Sequence, residues 1–388
     1  MTIRFGTDGW RAVISETFTF SNLRLVAQAI ADYVLEENDS EPTVVIGFDT
    51  RFLSDRYAAE VARVMAANNI RTWLARADTP TPAVSYAVVN KGATAGVMIT
   101  ASHNAPRYNG IKMKASYGGS ASSTQNRRVE HHIERNLASA HGPNLMSMDT
   151  ALAENRITKF DPAWAYYEHL STLVDLDCIS SAELRVVADG MYGAGRGVIG
   201  EVLARGRTKI HNIRHEMNPG FGGIHPEPIA KHLGLLMSTI QAGHWGVGLA
   251  TDGDADRIGA VDALGNFVDP HRIFALVLRY LLEERDWRGR VVRTVSTTRM
   301  VDRLAARHNV QLLETPVGFN HIADEMLKDD VLMGGEESGG MSIHGHIPEG
   351  DGILMGLLLL EVMAASGVPL HELVEDLLAD VGPAQYAR

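Results

Sequence analysis

The sequence is poor in cysteine and carries fewer basic than acidic residues. Cys178 is the only cysteine among 388 residues, so an internal disulfide framework is excluded and a reducing, cytoplasmic location is expected. Its surroundings, VDLDCISS, carry no signature of a catalytic cysteine. Lys and Arg number 36 against 47 Asp and Glu, a net charge of −11. The sequence therefore lacks the basic footprint of a nucleic-acid partner.

Long apolar runs are also missing. The longest, GILMGLLLLEVMAA, is interrupted by Glu361 and falls short of the ~18 residues that cross a bilayer. The first residues, MTIRFGTDGW, have no apolar stretch of signal-peptide length. We therefore expect no membrane partner. The sequence leaves open whether the protein is a monomer or a dimer.

Short β-branched runs alternate with helical patterns along the whole chain. TVVIGF, ELRVVAD and WGVGLAT predict buried strands, and helical patterns such as SDRYAAEVARVMAANN lie between them. This alternation predicts three consecutive α/β domains with mixed, largely parallel sheets flanked by helices, and an active-site cleft between them. We place domain I at residues 1–155, domain II at 156–266 and domain III at 267–388.

The strongest chemical signal is the stretch LATDGDADR. Asp252, Asp254 and Asp256 follow a predicted strand at alternate positions, and in a curled loop three such carboxylates can converge on one hard cation such as Mg²⁺ or Ca²⁺. An EF-hand is excluded, because its sixth residue should be Gly and is Arg257, and its twelfth should be Glu and is Ala263. Three carboxylates this close repel one another unless a cation or a proton intervenes.

Arg257 and two further loops carry polar groups suited to a phosphorylated sugar. Arg257 beside a metal site suits a transferring phosphoryl group, although a lone arginine also forms surface ion pairs. Ser102 and His103 follow a buried strand in GVMITASHN, where a serine also commonly closes a turn. The glycine-rich MGGEESGG presents Glu336 and Ser338 as acceptors for sugar hydroxyls.

Taken together, the motifs resemble those of the α-D-phosphohexomutases, in particular the bacterial phosphoglucomutase/phosphomannomutase branch. The motifs occur in the order GTDGWRA, GFDTR, TPTPAVSYAV, TASHN, YNGIK, FGGIHPEP, DGDADR, TPVG and GGEESGG. The resemblance implies an isomerase that interconverts hexose 1-phosphate and hexose 6-phosphate, with glucose and/or mannose as the sugar. It implies a phosphoserine at Ser102, a 1,6-bisphosphate intermediate, one Mg²⁺ ion, and glucose 1,6-bisphosphate as activator.

The resemblance also implies a role for each matching residue. The implied catalytic residues are Ser102, His103, Lys112, Arg11 and Arg257. The implied metal ligands are Ser102, Asp252, Asp254 and Asp256, and the implied substrate-binding residues are Gly318, Glu336 and Ser338. Either His103 or Lys112 would accept the hydroxyl proton. The GEES form of the sugar loop favours ordinary hexose phosphates over an amino-sugar phosphate.

The chain departs from the family pattern at several points. Ala105 and Asn320 stand where the resemblance predicts proline and lysine, and no SGT motif of the family's phosphate-binding domain IV occurs before the end at DVGPAQYAR. We therefore expect domain IV to be absent and turnover to be slow. Two alternatives remain. One is a non-catalytic sugar-phosphate-binding remnant; the other is an aspartate-nucleophile phosphatase, although Asp256 stands where that class has Thr or Val.

Overall fold

A computed structural model describes residues 3–6, 8–37, 41–328, 330–382 and 384, and it contains three β-sheets in chain order. Each sheet is mixed: parallel strands form one part, and antiparallel strands extend one edge. Helices cover the sheets, which is why strands such as β2 (Thr43–Phe48) are buried almost throughout and read as continuous apolar runs. The predicted fold class is confirmed.

The sheet of domain I has six strands in the spatial order β1-β5-β4-β2-β3-β6. Its strands are β1 (Trp10–Val13), β2, β3 (Arg71–Ala75), β4 (Ala95–Ile99), β5 (Tyr108–Ala115) and β6 (Ile157–Phe160). Its helices are α1 (Phe20–Glu37), α2 (Ser54–Ala67), α3 (Thr81–Asn90), α4 (Ser123–Ser139) and α5 (Met148–Ala153). β5 lies antiparallel to both β1 and β4.

The sheet of domain II has the order β11-β10-β9-β7-β8. Its strands are β7 (Arg185–Asp189), β8 (Lys209–Ile213), β9 (Val247–Thr251), β10 (Ile258–Asp262) and β11 (Phe267–Val268). The accompanying helices are α6 (Ala163–Leu173), α7 (Leu176–Ser181), α8 (Val198–Val202) and α9 (Gly234–Gly243). β9 and β10 form a hairpin in which Thr251 lies opposite Ile258, so the residues between them form its connecting loop.

The sheet of domain III has the order β13-β12-β14-β15. Its strands are β12 (Arg290–Thr294), β13 (Leu312–Thr315), β14 (Val331–Gly335) and β15 (Met341–Ile343). Its helices are α10 (Pro270–Glu283), α11 (Met300–Arg307), α12 (Phe319–Met326), α13 (Gly352–Ser366) and α14 (Leu370–Val381).

Both predicted domain boundaries lie a few residues too early. β6 pairs in parallel with β3, so residues 157–160 complete the sheet of domain I although the boundary was placed at residue 155. β11 pairs with β10, so residues 267–268 belong to the sheet of domain II. Both short strands pair with segments that precede them in the chain, and composition alone does not reveal such a pairing.

Helix α13 joins domains II and III into one apolar core. It contacts β9 and β10 of domain II as well as α10 and β15 of domain III, and every residue from Gly352 to Met363 is buried. A helix that is apolar on all sides is expected in such a position. Within the described residues no single helix has the length and apolar content of a membrane span; only the bent pair α13 and α14, taken together, reaches them.

Candidate active site

The connecting loop between β9 and β10 brings three carboxylates together. Asp252, Asp254 and Asp256 each place one carboxylate oxygen so that these oxygens lie within 4.8 Å of one another, and all three residues are buried. Ala255 adopts a left-handed conformation, with φ of 61°, which turns the backbone between the last two aspartates. The convergence predicted from the alternate spacing is therefore present in the structure.

The donor set of this cluster fits a hard divalent cation. Oδ1 of Asp254 and Oδ1 of Asp256 are buried, and neither accepts a hydrogen bond from the described residues. Burial and the two neighbouring carboxylates raise the pKa of Asp252 well above its ordinary value. Unpartnered carboxylate oxygens in a buried, strongly acidic cluster are the ligands that Mg²⁺ prefers.

Ser102 lies beside the carboxylate cluster, on the loop that follows β4. Its Oγ donates a hydrogen bond to Oδ2 of Asp252 at 2.8 Å, and its backbone N–H donates to Oγ1 of Thr100 at 2.8 Å. The residue is fully buried and has φ of 51°, a conformation that surrounding contacts must hold in a residue other than glycine. A Cβ on Gly253 would lie 2.4 Å from the carbonyl oxygen of Ser102, so glycine permits this close approach.

The serine loop is held by Arg51, a residue that the sequence analysis did not single out. Its guanidinium donates to the carbonyl oxygens of Ser102 at 2.5 Å and of Asn104 at 2.7 Å. It also donates to the carbonyl oxygens of Ala105 and Tyr108, each at 3.0 Å. Arg51 is buried, and its presence in the GFDTR motif was the one available signal of its importance.

Asp49 also stabilises the serine loop, through contacts with Arg51 and Thr100. Its carboxylate lies 3.1 Å from Nε of Arg51 and accepts a hydrogen bond from Oγ1 of Thr100 at 2.7 Å. Because Thr100 also accepts the N–H of Ser102, the conformation of the serine is tied to a buried ion pair in the segment that follows β2, the strand next to β4.

Domain I also contacts the acidic loop directly through Thr81. Its N–H donates to the carbonyl oxygen of Asp254 at 2.8 Å, and its Oγ1 donates to Oδ2 of Asp254 at 2.6 Å. Thr81 is the first residue of α3 and is fully buried. Thr81 of domain I therefore orients a carboxylate of domain II. The sequence analysis missed this role, although TPTP was among the motifs.

Four basic side chains predicted from the sequence surround the serine and the carboxylates. Nζ of Lys112 lies 2.9 Å from both Asp254 and Asp256 and 2.7 Å from Asp8. Burial would lower the pKa of Lys112, but the three carboxylates outweigh it and raise that pKa well above its ordinary value. Nε of Arg257 lies 3.7 Å from Oδ1 of Asp256.

The other two basic residues face the cavity. Nη1 of Arg11 on β1 donates to Oδ1 of Asn104 at 2.8 Å. Nδ1 of His103 lies 3.3 Å from Oγ of Ser102. Burial, followed by the charges of Arg257 and Arg11, lowers the pKa of His103 to about 2, so its imidazole is neutral at physiological pH.

The predicted sugar loop and His103 of the serine loop both line a cavity of about 560 Å³. Gly318, Glu336 and Ser338 of domain III line this cavity together with Arg11 and His103 of domain I. Oγ of Ser338 donates to Oε1 of Glu336, and burial raises the pKa of Glu336. The wall also contains Arg4, Asp8, Ser120, Asn320, Glu337 and Glu349, which the sequence analysis did not assign to the site. The predicted residues that line the cavity are Arg11, His103, Asp256, Arg257, Gly318, Glu336 and Ser338. Ser102, Lys112, Asp252 and Asp254 do not line it, but they are buried next to residues that do.

Three domains of a known protein family match successive parts of the chain. Residues 2–139 match the phosphoglucomutase/phosphomannomutase alpha/beta/alpha domain I, residues 164–265 match domain II, and residues 269–381 match domain III. The chain is similar to the phosphoglucosamine mutase of Carboxydothermus hydrogenoformans, with 32% identity over 96% of this chain and 82% of that protein.

Two further relatives span most of the chain. A phosphoglucomutase/phosphomannomutase of Thermococcus kodakarensis is 28% identical over 96% of this chain and 80% of its own length. A crystal structure of a candidate phosphomannomutase from Thermus thermophilus is 36% identical, with a TM-score of 0.90 over 98% of this chain and 84% of that one.

Proposed function

The chain belongs to the phosphoglucomutase/phosphomannomutase family, and from this membership we propose that it interconverts hexose 1-phosphates and hexose 6-phosphates through a phosphoserine at Ser102. The observation that supports the proposal most directly is the 2.8 Å hydrogen bond from Oγ of Ser102 to Asp252 of the carboxylate cluster. This bond joins the serine to one of the proposed cation ligands, and the next residue, His103, lines a cavity of about 560 Å³.

In the proposed first half-reaction, the phosphoryl group passes from Oγ of Ser102 to a free hydroxyl of the hexose monophosphate. The bond between phosphorus and Oγ breaks, a bond from phosphorus to the sugar oxygen forms, and the hydroxyl loses its proton. Ser102 takes up a proton with the electron pair of the broken bond, which leaves a free serine and a 1,6-bisphosphate. The second half-reaction returns the other phosphate to Ser102 and releases the isomeric monophosphate.

We assign the proton of the sugar hydroxyl to His103 rather than Lys112 on positional grounds. His103 lines the cavity, with Nδ1 3.3 Å from the serine oxygen. Lys112 does not line the cavity, is 1% exposed and is ion-paired with three carboxylates. Lys112 therefore serves in this proposal as a fixed positive charge that orients the carboxylates.

Asp252, Asp254, Asp256 and Ser102 would hold the proposed Mg²⁺, whose bound form polarises the oxygens of a phosphoryl group as a Lewis acid. The charges of Arg257 and Arg11 face the same region and stabilise negative charge on the transferring group. Because water is excluded from the buried loop, these charges act at a lower effective dielectric constant than in solution.

Two classes of sugar phosphate are candidates for the substrate. The GEES loop favours glucose or mannose phosphate. Glucosamine phosphate is the second candidate, because similar relatives are named phosphoglucosamine mutases and the cavity wall holds Glu336 and Glu337, which could pair with an ammonium group. Coupled assays with glucose 1-phosphate, mannose 1-phosphate and glucosamine 1-phosphate separate the two candidates by their kcat/KM.

Mass spectrometry of the Ser102 peptide tests the phosphoserine. We expect one phosphate to appear on Ser102 after incubation with Mg²⁺ and glucose 1,6-bisphosphate, and no phosphate in the Ser102→Ala variant. A phosphate on an aspartate would favour the phosphatase, and no phosphate on the chain would favour the sugar-phosphate-binding remnant.

Slow turnover stays a prediction, and a turnover number equal to that of the relatives would contradict it.

A further inference from the structure

A buried ion pair that plays no part in the mechanism above connects domains I and III at the wall of the cavity. Nζ of Lys114 on β5 lies 2.6 Å from Oε2 of Glu349, which belongs to the segment between β15 and α13. Lys114 is fully buried and Glu349 is 3% exposed. The two backbones meet closely here, since a Cβ on Gly119 would lie 2.6 Å from the carbonyl oxygen of Pro348.

Two lysines of β5 compete for one carboxylate, that of Asp8. Lys112 and Lys114 are two residues apart on a strand, so their side chains leave the same face. Nζ of Lys112 lies 2.7 Å from Oδ2 of Asp8, whereas Nζ of Lys114 lies 4.0 Å from Oδ1 of Asp8. Among the described residues, Asp8 and Glu349 are the carboxylates within 4.0 Å of the Lys114 ammonium.

Ser120 lies between the two carboxylates and cannot satisfy both. Its Oγ lies 3.1 Å from Oδ1 of Asp8 and 3.0 Å from Oε2 of Glu349, and it accepts from Lys114 at 3.0 Å. A hydroxyl has one proton to donate, so only one carboxylate receives it at a time. The arrangement therefore depends on Glu349 to neutralise the charge of Lys114.

We propose that Glu349 is a positioning residue of domain III: by pairing with Lys114, it leaves Asp8 to Lys112 and so keeps Lys112 against the carboxylates of the acidic loop. This inference rests on the proposed function, because its consequence is the rate of phosphate transfer to the serine. Without Glu349 the nearest counter-charge of the buried Lys114 is Asp8, 4.0 Å away. An uncompensated buried charge is strongly destabilising, so a closer approach of Lys114 to Asp8 is favoured. Lys112 would then share Asp8 and shift relative to Asp254 and Asp256.

The proposal predicts unequal effects from the two halves of the ion pair. In Glu349→Gln the competing Lys114 remains, so we expect transfer of phosphate from glucose 1,6-bisphosphate to the serine to slow by about tenfold or more. In Lys114→Met the competitor is gone and Glu349 can take up a proton, so we expect a rate within about threefold of the parent. In the double variant Lys114→Met/Glu349→Gln we expect the rate to recover to the same range.

The experiment measures quenched time courses of phosphate transfer to Ser102 in the Mg²⁺-loaded full chain, with thermal stability measured alongside. Glu361→Gln is the matched control. Glu361 of α13 is a fully buried acid that pairs with Arg285 and does not line the cavity. It should lose stability without slowing transfer in the folded protein.

The outcomes distinguish a failure of the proposed function from a failure of the inference alone. A parent chain that takes up no phosphate overturns the function and the inference together. A parent that loads normally while Glu349→Gln loads at the same rate overturns the inference alone. So does a double variant as slow as Glu349→Gln, or a tenfold loss in Lys114→Met, because a merely structural ion pair would give those results. If Glu349→Gln does not fold, a tenfold loss in Lys114→Met or in the double variant still overturns the inference.

Discussion

Replacement of Arg51 by lysine tests whether the guanidinium of Arg51 holds the loop that contains Ser102 in place. The guanidinium makes four hydrogen bonds to carbonyl oxygens of the loop 102–108, at distances from 2.5 to 3.0 Å. A lysine keeps the positive charge opposite Asp49 but presents one compact donor group instead of a planar fork. With one of its three N–H groups directed at Asp49, a lysine can replace at most two of these four hydrogen bonds.

The magnitude follows from those lost bonds. Hydrogen bonds that involve a charged group contribute about 1.5–3 kcal/mol each, so losing two lowers the free energy of unfolding by about 3–6 kcal/mol. The loop also loses the contacts that hold Ser102 in its left-handed conformation. A displacement of about 1 Å at a reacting group slows a reaction by about a hundredfold, so we expect that loss in the rate of phosphate transfer to Ser102 from glucose 1,6-bisphosphate.

Two measurements on Arg51→Lys test this reasoning: the quenched time course of phosphate transfer and the hydrogen exchange of the amides of residues 102–108. Arg63→Lys is the matched control, because Arg63 also donates to a carbonyl oxygen, that of Met146 at 2.9 Å, but lies away from the cavity. It should lose stability and keep its transfer rate. An Arg51→Lys variant with parental transfer and unchanged exchange would refute the assigned role.

Three other predictions concern the metal ligands, the sugar loop and pH. Thr81→Val removes the 2.6 Å hydrogen bond to Asp254 and should weaken Mg²⁺ binding by about tenfold, measured by titration calorimetry; unchanged affinity would contradict it. Glu336→Ala should raise the KM for hexose phosphate while serine loading survives in part, and unchanged steady-state kinetics would exclude a substrate contact. Burial and its neighbour His346, 2.9 Å away, lower the pKa of His169 to about 4. The contribution of His169 to the free energy of unfolding should therefore be full above pH ~6.5 and fall as the pH drops towards 4. His169→Phe should reduce the pH dependence of that free energy, measured by urea unfolding. An unchanged pH dependence would refute the assignment.

The repeated pattern of strands and helices could be predicted because each element depends on its own residues. β2 and β9 are continuous apolar runs, and covering both faces of a sheet requires such runs. The ends of the domains could not be predicted in the same way. β6 and β11 are short, and their membership of a sheet depends on partners elsewhere in the chain.

The sequence by itself determined which residues could carry the chemistry. The alternate spacing of Asp252, Asp254 and Asp256 and the position of Ser102 after a strand act over a few residues, where the geometry of a loop limits the outcome. These features are local, so they could be interpreted before any tertiary contact was known.

Only the tertiary structure decided which buried charges neutralise one another. Arg51 contacts the carbonyl oxygen of Ser102 across 51 residues of sequence, and Lys114 meets Glu349 across 235. A buried charge requires a counter-charge at short range, and any strand or loop that packs there can supply it. Composition identifies the charges, but the packing of three domains around one cavity selects their partners.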